Sequence, residues 1–340
     1  MIYMKLFKRI FIILGSVLIT IGLLGAAASF AIGGTLSAEQ LEEMYSMSEK
    51  SFDNVYSGEL KSLDISAVSA EVNVKYHYTD DICVKYDCRT PGLRCEVKLD
   101  ESGRLTVKEK SNFFMSFLWF VIGAQNSVIT ITLPDRYLDE KLDSVYLNMT
   151  SGSTSGDLPA CEKLNITLTS GNAGSIATPL TISAQNAEMH MTSGSLALSS
   201  RADKMDSVKL TTTSGTAYLR GFASDYSYYN STSGNITAYD VSGKVDVHKT
   251  SGSTTLYYSE WNDDLYINTT SGENTIYLPQ GSGVNVNFNA TSGNVEVDLN
   301  GSKSHITSKG TFTAGGTNIH GVTIEGTSGS SYISDVPYKN

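Results

Sequence analysis

Serine is the residue whose spacing first suggests chemistry in this chain. Thr-Ser-Gly begins at Thr150, Thr169, Thr192, Thr213, Thr232, Thr250, Thr270, Thr291 and Thr327. A serine nucleophile needs a base within hydrogen-bond reach and a third group that orients the base. The five histidines, His77, His190, His248, His305 and His320, stand at scattered phases to the triplets, and only His190 and His248 share a column, two residues before the Thr. Nine triplets without a matching set of bases describe a corner that the chain turns repeatedly. The sequence therefore predicts no enzyme and no catalytic residue.

Other chemistries fail on residue type. Asn148, Asn230, Asn268 and Asn289 each open an Asn-x-Thr glycosylation pattern, but the Thr of the triplet creates the match automatically. Calcium-binding solenoids require a repeated Asp column, which is missing, and the clustered carboxylates and basic groups of polysaccharide lyases are not found either. Cys83, Cys88, Cys95 and Cys161 fit no zinc spacing. One bridge among the first three, or free thiols, both satisfy the pattern. No metal and no cofactor is expected.

Two groups of aromatic residues remain as a candidate interaction surface. Tyr239, Tyr257 and Tyr277 each lie seven residues past the Thr of successive triplets, on the outward phase, with Tyr228, Tyr266 and Trp261 on the same coils. Such a row can stack on sugar rings or partner side chains, or it can stabilise neighbouring strands. The second group, Phe113, Phe114 and Trp119, belongs to FFMSFLWFVIGA at 113–124, too short to span a bilayer. It suits entry into the outer leaflet, docking to a membrane partner, or covering the first coil.

What positions these residues is the repeat. Neighbouring triplets up to Thr291 are roughly 20 residues apart, the period of a solenoid coil. Three residues before the Thr stand Leu147, Ile166, Met189, Leu210, Tyr229, Val247, Ile267, Phe288 and Ile324, and the column five before is also mostly apolar, while the column between them is mostly polar. That alternation is a strand with one buried face. Six residues past the Thr a mostly apolar column returns, from Gly156, Ser175 and Leu198 to Ile333, and predicts a second inward-facing strand. Each unit reads strand, corner, strand, turn. Stacked at ~4.8 Å, the units close a continuous core.

The expected fold is thus all-β: a single-chain β-solenoid of roughly 20-residue coils, ten to twelve in number and on the order of 50–60 Å long. Gly152, Gly171, Gly194, Gly215, Gly234, Gly252, Gly272, Gly293 and Gly329 are its structural turns, with Ser and Thr capping freed amides. ITSKG at 306–310 looks like a degenerate copy filling the long gap before Thr327. Residues 61–135 read as first coils or a cap, and 136–335 as the repeat array.

Upstream, residues 10–34 carry no charge and exceed the roughly 20 residues that span a bilayer. With Lys5, Lys8 and Arg9 before it and Glu39 the first acid after it, residues 1–9 are expected in the cytoplasm, 10–34 as a transmembrane helix in the lipid bilayer, and the bulk outside the cell membrane. A cleaved signal peptide at AAAS, 26–29, is the rival reading; export follows from either. Residues 35–60 read as a juxtamembrane helix or linker, the helical spacing running through Leu41, Met44 and Met47. Setting aside the three leading cations leaves 22 Lys and Arg against 35 acids, a net of −13. That balance argues against nucleic acid and against broad adhesion to an anionic membrane.

ITITLPD followed by V-x-L-x-x-TSG coils behind one membrane segment resembles a family of bacterial envelope proteins labelled putative adhesins, built on a domain of unknown function. The resemblance covers roughly residues 60–335. It implies a β-solenoid, often in Gram-positive bacteria, some members being associated with the response to envelope stress and antimicrobial peptides. It carries over no catalytic residue. The function expected is a membrane-anchored, non-enzymatic adhesin or envelope scaffold whose partner is a cell-wall glycan or a membrane protein. The alternatives are an accessory sensor of envelope stress and, more distantly, a glycan-active enzyme.

Overall fold

The structure, a computed structural model, describes residues 51–88, 93–111 and 127–335. All of these lie in one compact unit, Lys50–Asn340. The expected transmembrane segment, the helical spacing up to residue 50, and Phe113, Phe114 and Trp119 lie outside the described residues. Among those described, no helix is long and apolar enough to cross a membrane.

Strand β1 (Phe52–Tyr56) opens the unit, within the stretch expected as linker. β2 (Ser62–Ala67) and β3 (Glu71–His77) form a two-armed coil bent at Val68-Ser69-Ala70. β4 (Ile82–Asp87), β5 (Leu93–Leu99), β6 (Arg104–Ser111) and β7 (Val128–Pro134) follow, and a single 3-10 turn, Asp135–Leu138, leads into the repeats. These are β8 (Leu142–Met149) and β9 (Ser153–Gly156); β10 (Cys161–Leu168) with β11 (Asn172–Ala173) and β12 (Leu180–Ile182); β13 (Ala184–Met191) and β14 (Ser195–Ser200); β15 (Met205–Thr212) and β16 (Thr216–Arg220); β17 (Ser224–Ser231) and β18 (Asn235–Val241); β19 (Lys244–Lys249) and β20 (Ser253–Tyr258); β21 (Leu265–Thr269) and β22 (Glu273–Tyr277). β23 (Ser282–Leu299), β24 (Ser302–Gly315), β25 (Asn318–Gly326) and β26 (Ser330–Ser334) complete the unit.

First arms pair in parallel from β8 through β21 in unbroken register, and second arms pair in parallel from β9 through β22. A bulge between Ala238 and Val241 shifts the β18–β20 pairing by one residue. The inner faces of the two arms meet in one hydrophobic cluster that runs from Leu60 to Ile333. Every member of the column three before the Thr is at most 2 % exposed, as alternation on a half-buried strand requires. No break in this core separates residues 61–135 from the repeats; β2 and β3 are a coil of the same stack.

Stack order departs from chain order at both ends. The β2/β3 coil lies between β8/β9 on one side and β6/β7 on the other. β5 then covers β6, and β4 covers β7, both antiparallel, with β1 outside β4. At the opposite end β25/β26 slips between β21/β22 and β23, and β24 runs antiparallel along β23. An uncovered parallel coil would present a full row of unpaired amides and carbonyls, so each end finishes in an antiparallel cap. ITSKG at 306–310 is consequently part of the cap strand β24 and not a degenerate coil.

A second departure concerns the inward column past the corner. Leu180 takes the place beside Leu198, while Ser175 is exposed in a loop closed by hydrogen bonds to Thr178. Gly156 also leaves the column and is exposed.

Candidate functional site

The corners are built from backbone hydrogen bonds passed from coil to coil. Ser251 N–H donates to the Thr232 carbonyl at 2.8 Å, and Ser271 N–H to the Thr250 carbonyl at 2.8 Å. The serine hydroxyl donates to the same carbonyl: Ser193 to Thr169 at 3.0 Å, Ser271 to Thr250 at 3.2 Å. These hydroxyls tie carbonyls of the neighbouring coil instead of capping amides, and none is turned toward a base. Gly252 has φ +92°, and a Cβ there would stand 2.3 Å from the Gly234 carbonyl oxygen. Gly171 lacks a positive φ but its Cβ would still come within 3.2 Å of the Gly152 oxygen. Glycine stacked on glycine is what lets the corners sit at the rung spacing.

The tyrosine row is real and its geometry limits its use. Tyr239 and Tyr257 stack at 4.4 Å with planes 3° apart, Tyr257 and Tyr277 at 4.6 Å and 16°, and Tyr218 adds a tilted ring 5.2 Å from Tyr239. The rung spacing places successive rings at stacking distance. Both faces of Tyr257 are therefore occupied by protein, and a sugar cannot stack on it. What the row presents outward is ring edges and hydroxyls. Burial, with the neighbouring Tyr257 and Tyr218, pushes the Tyr239 phenol up to about 12.

A second aromatic group lies on the outer face of the first arms. His248 sits between Tyr228 and Tyr266, at 5.3 and 5.5 Å. Tyr226 donates to Asp246 and Tyr266 to Glu325, each at 2.8 Å. Trp261, grouped with this surface from the sequence, is 2 % exposed and donates from Nε1 to the Gly283 carbonyl at 2.8 Å. It is a core residue.

The histidines do not converge on serine. His190 Nε2 is 3.1 Å from Glu188 Oε1, and His77 Nε2 is 2.6 Å from the Asp81 carbonyl. Lys209, hydrogen-bonded to Glu188, holds that carboxyl below its ordinary range, with His190 adding to the effect. Among the described residues no group of three or more His, Cys, Asp or Glu could hold a metal ion. No disulfide joins Cys83, Cys88, Cys95 and Cys161; burial pushes Cys95 and Cys161 up to about 12, far from a reactive thiolate. An open recess of about 260 Å3 on the turn side, lined by Asp203, Lys204, Asp240 and Glu260 among others, holds no nucleophile with a base beside it.

Two buried charges were not singled out from the sequence. Glu109 is 3 % exposed, and its Oε2 accepts the N–H groups of Val68, Ser69 and Ala70 at 2.8, 2.8 and 3.1 Å. Its other oxygen accepts Ser127 and Tyr86 hydroxyls. In the repeats corner amides donate to carbonyls of the preceding corner, as Thr150 and Ser151 N–H do to Ala67 and Val68; at Val68, Ser69 and Ala70 one carboxylate accepts instead. Lys249, 5 % exposed, occupies the inward column just before the Thr, its Nζ donating to the Gly252 carbonyl at 3.2 Å and to the Glu273 carbonyl. Burial lowers it to about 8, against the opposing pull of Glu273. The signal for both was a charged residue at an inward phase.

Fold and surface together define a capped β-solenoid whose repeated side-chain columns face outward. The sequence profile of the Toastrack DUF4097 family matches residues 60–333, and the chain belongs to that family. No match was found among curated proteins. Among solved structures, the chain is similar to a putative adhesin from Parabacteroides distasonis ATCC 8503, with 11 % identity over 85 % of this chain and 98 % of that one at a TM-score of 0.45. It is also similar to a putative lipid binding protein from the same organism, with 15 % identity over 84 % and 97 % at 0.46. A putative adhesin from Parabacteroides merdae ATCC 43184 shows 12 % identity over 85 % and 97 % at 0.36. At these scores the likeness carries no argument of its own.

Proposed function

We propose that this chain is a membrane-anchored, extracytoplasmic β-solenoid that acts without catalysis as an adhesin or envelope scaffold. Residues 10–34 hold it in the bilayer with the N-terminus in the cytoplasm, and the solenoid offers its outer columns to cell-wall glycan or to a membrane protein. The observation that carries this reading is the outer surface itself: tyrosines and carboxylates recur at the rung spacing on the outer faces of both arms, and among the described residues no recess gathers a nucleophile, a base and an orienting group. An extended, repetitive surface suits an extended, repetitive partner.

The test is binding of the purified Lys50–Asn340 unit to cell-wall preparations, comparing two triple variants at Tyr239, Tyr257 and Tyr277. Phenylalanine keeps the stack and removes the hydroxyls; alanine removes both. Loss of binding in both variants, with the phenylalanine variant as stable as the parent, supports recognition through the hydroxyl edge. Binding that survives the alanine variant removes this row as the contact.

A further inference from the structure

Charge is segregated on the outer face of the first-arm sheet. On β5 and β6 the residues alternating with Leu93, Leu105 and Val107 are Arg94, Glu96 and Lys98, then Arg104, Thr106, Lys108 and Lys110. Pairing sets Arg94 beside Lys110, Glu96 beside Lys108 and Lys98 beside Thr106. Five cations and one carboxylate thus share a surface two strands wide. Glu96 lies 2.6 Å from Lys110 and 3.8 Å from Arg94, and that surplus of positive charge, chiefly the Lys110 hydrogen bond, holds its carboxyl below the ordinary range. From β2 onward the balance reverses: Asp64, Glu162, Glu188, Asp206 and Asp246 stand against Lys163, Lys209 and Lys244.

We propose that the β5–β6 face docks onto anionic phospholipid headgroups. The cations are spread along two strands and not gathered at one point, which suits a surface of many phosphates better than one small anion. It is also terminal. β5 is the last strand of its sheet and β6 the next, about 4.8 Å further in, so both lie within a Debye length of any surface that this end meets. The chain enters the unit at this same end, through Phe52 on β1, and β6 leads at Ser111 into the sequence whose residues 113–124 are apolar. Exposed carboxylates share this end, Asp53 and Asp87 on β1 and β4 and Glu59 and Glu101 in the turns beside β5, so the attraction is local to the β5–β6 face; along that sheet the acidic coils begin beyond β6, where screening weakens their repulsion. A net charge of −10 conceals this, because attraction to a surface depends on the charges nearest it.

The proposal does not depend on residues 10–34 and is tested without them, on the Lys50–Asn340 unit, whose core is complete within itself. Flotation with phosphatidylcholine vesicles, with and without phosphatidylglycerol, reads the binding. Binding should require phosphatidylglycerol and fall with added salt. The variant R94E/K98E/K108E should lose on the order of a hundredfold in affinity, at about fivefold or more per cation, with its circular dichroism unchanged. Reversal of Lys163, Lys209 and Lys244, the same charge change placed further along the sheet, should retain binding. Equal binding to neutral vesicles, no binding to either kind, or equal loss in the two variants would overturn the proposal. So would binding of a soluble glycerol-phosphate polymer in place of vesicles, which would assign the face to a wall polymer.

Discussion

Replacing Lys249 with methionine should make the unit more stable, and the gain should fade as the solution is made alkaline. The ammonium group is buried at the inner side of a corner, and desolvation lowers it from 10.5 to about 8. At 1.36 kcal/mol per pKa unit, the charged form costs about 3 kcal/mol relative to the neutral one in the fold. Below pH 8 the lysine is charged in folded and unfolded chains alike, and the folded state carries that cost. Between pH 8 and 10.5 the unfolded chain binds more protons, so stability rises with pH through this window. Methionine removes the charge at similar length, and the Gly252 carbonyl keeps the Glu273 N–H as donor. Urea unfolding of parent and variant at pH 7.0 and 9.5 checks this. A gain of up to about 3 kcal/mol at the lower pH, shrinking by about 2 kcal/mol at the higher, is expected. A variant less stable at pH 7.0, by an amount that does not change with pH, would refute the reasoning.

Other perturbations test the corners, the cap and the row. Glu109→Gln leaves one carbonyl oxygen where a carboxylate serves three amides and two hydroxyls, so a loss of about 2–4 kcal/mol is expected, with faster hydrogen exchange confined first to Val68, Ser69 and Ala70. Gly252→Ala combines a positive φ with a Cβ 2.3 Å from a carbonyl oxygen and should cost at least about 3 kcal/mol in urea unfolding. Gly281→Ala has φ +82° but nothing within 4 Å of the added carbon, so only the conformational cost of about 1 kcal/mol should appear. Tyr257→Ala should lower the melting temperature more than Tyr257→Phe, because the stack with Tyr239 and Tyr277 is lost in the first and kept in the second.

Much of the fold was legible because a stacked repeat writes its core as columns. Alignment on the Thr located Val145, Leu147 and their counterparts, and in the structure these are buried along the whole series. The inward column immediately before the Thr was harder to read. It begins Met149, Leu168, Met191 but continues Thr212, Ser231, Lys249, Thr269, all buried, so the polar types break the apolar pattern where the face does not change. Ser175 misled for a related reason: fixed spacing assumes equal loops, and the loop ahead of Leu180 shifts the true partner of Leu198 by five residues.

By itself the sequence determined the all-β class, the two-armed coil, the corner and the buried face of the two apolar columns before it, because alternation and period are local properties that every coil repeats. Only the tertiary structure decided which coil lies beside which. β2/β3 inside β6/β7, β25/β26 inside β23, and β24 as a cap are choices among strands of similar pattern, made by the need to cover both ends of the stack. The same choices placed Glu109 at the β2–β3 corner, Trp261 in the core and five cations on β5 and β6. The stacking of β18, β20 and β22 on one another brought three tyrosine rings together and closed the faces that the sequence had left open.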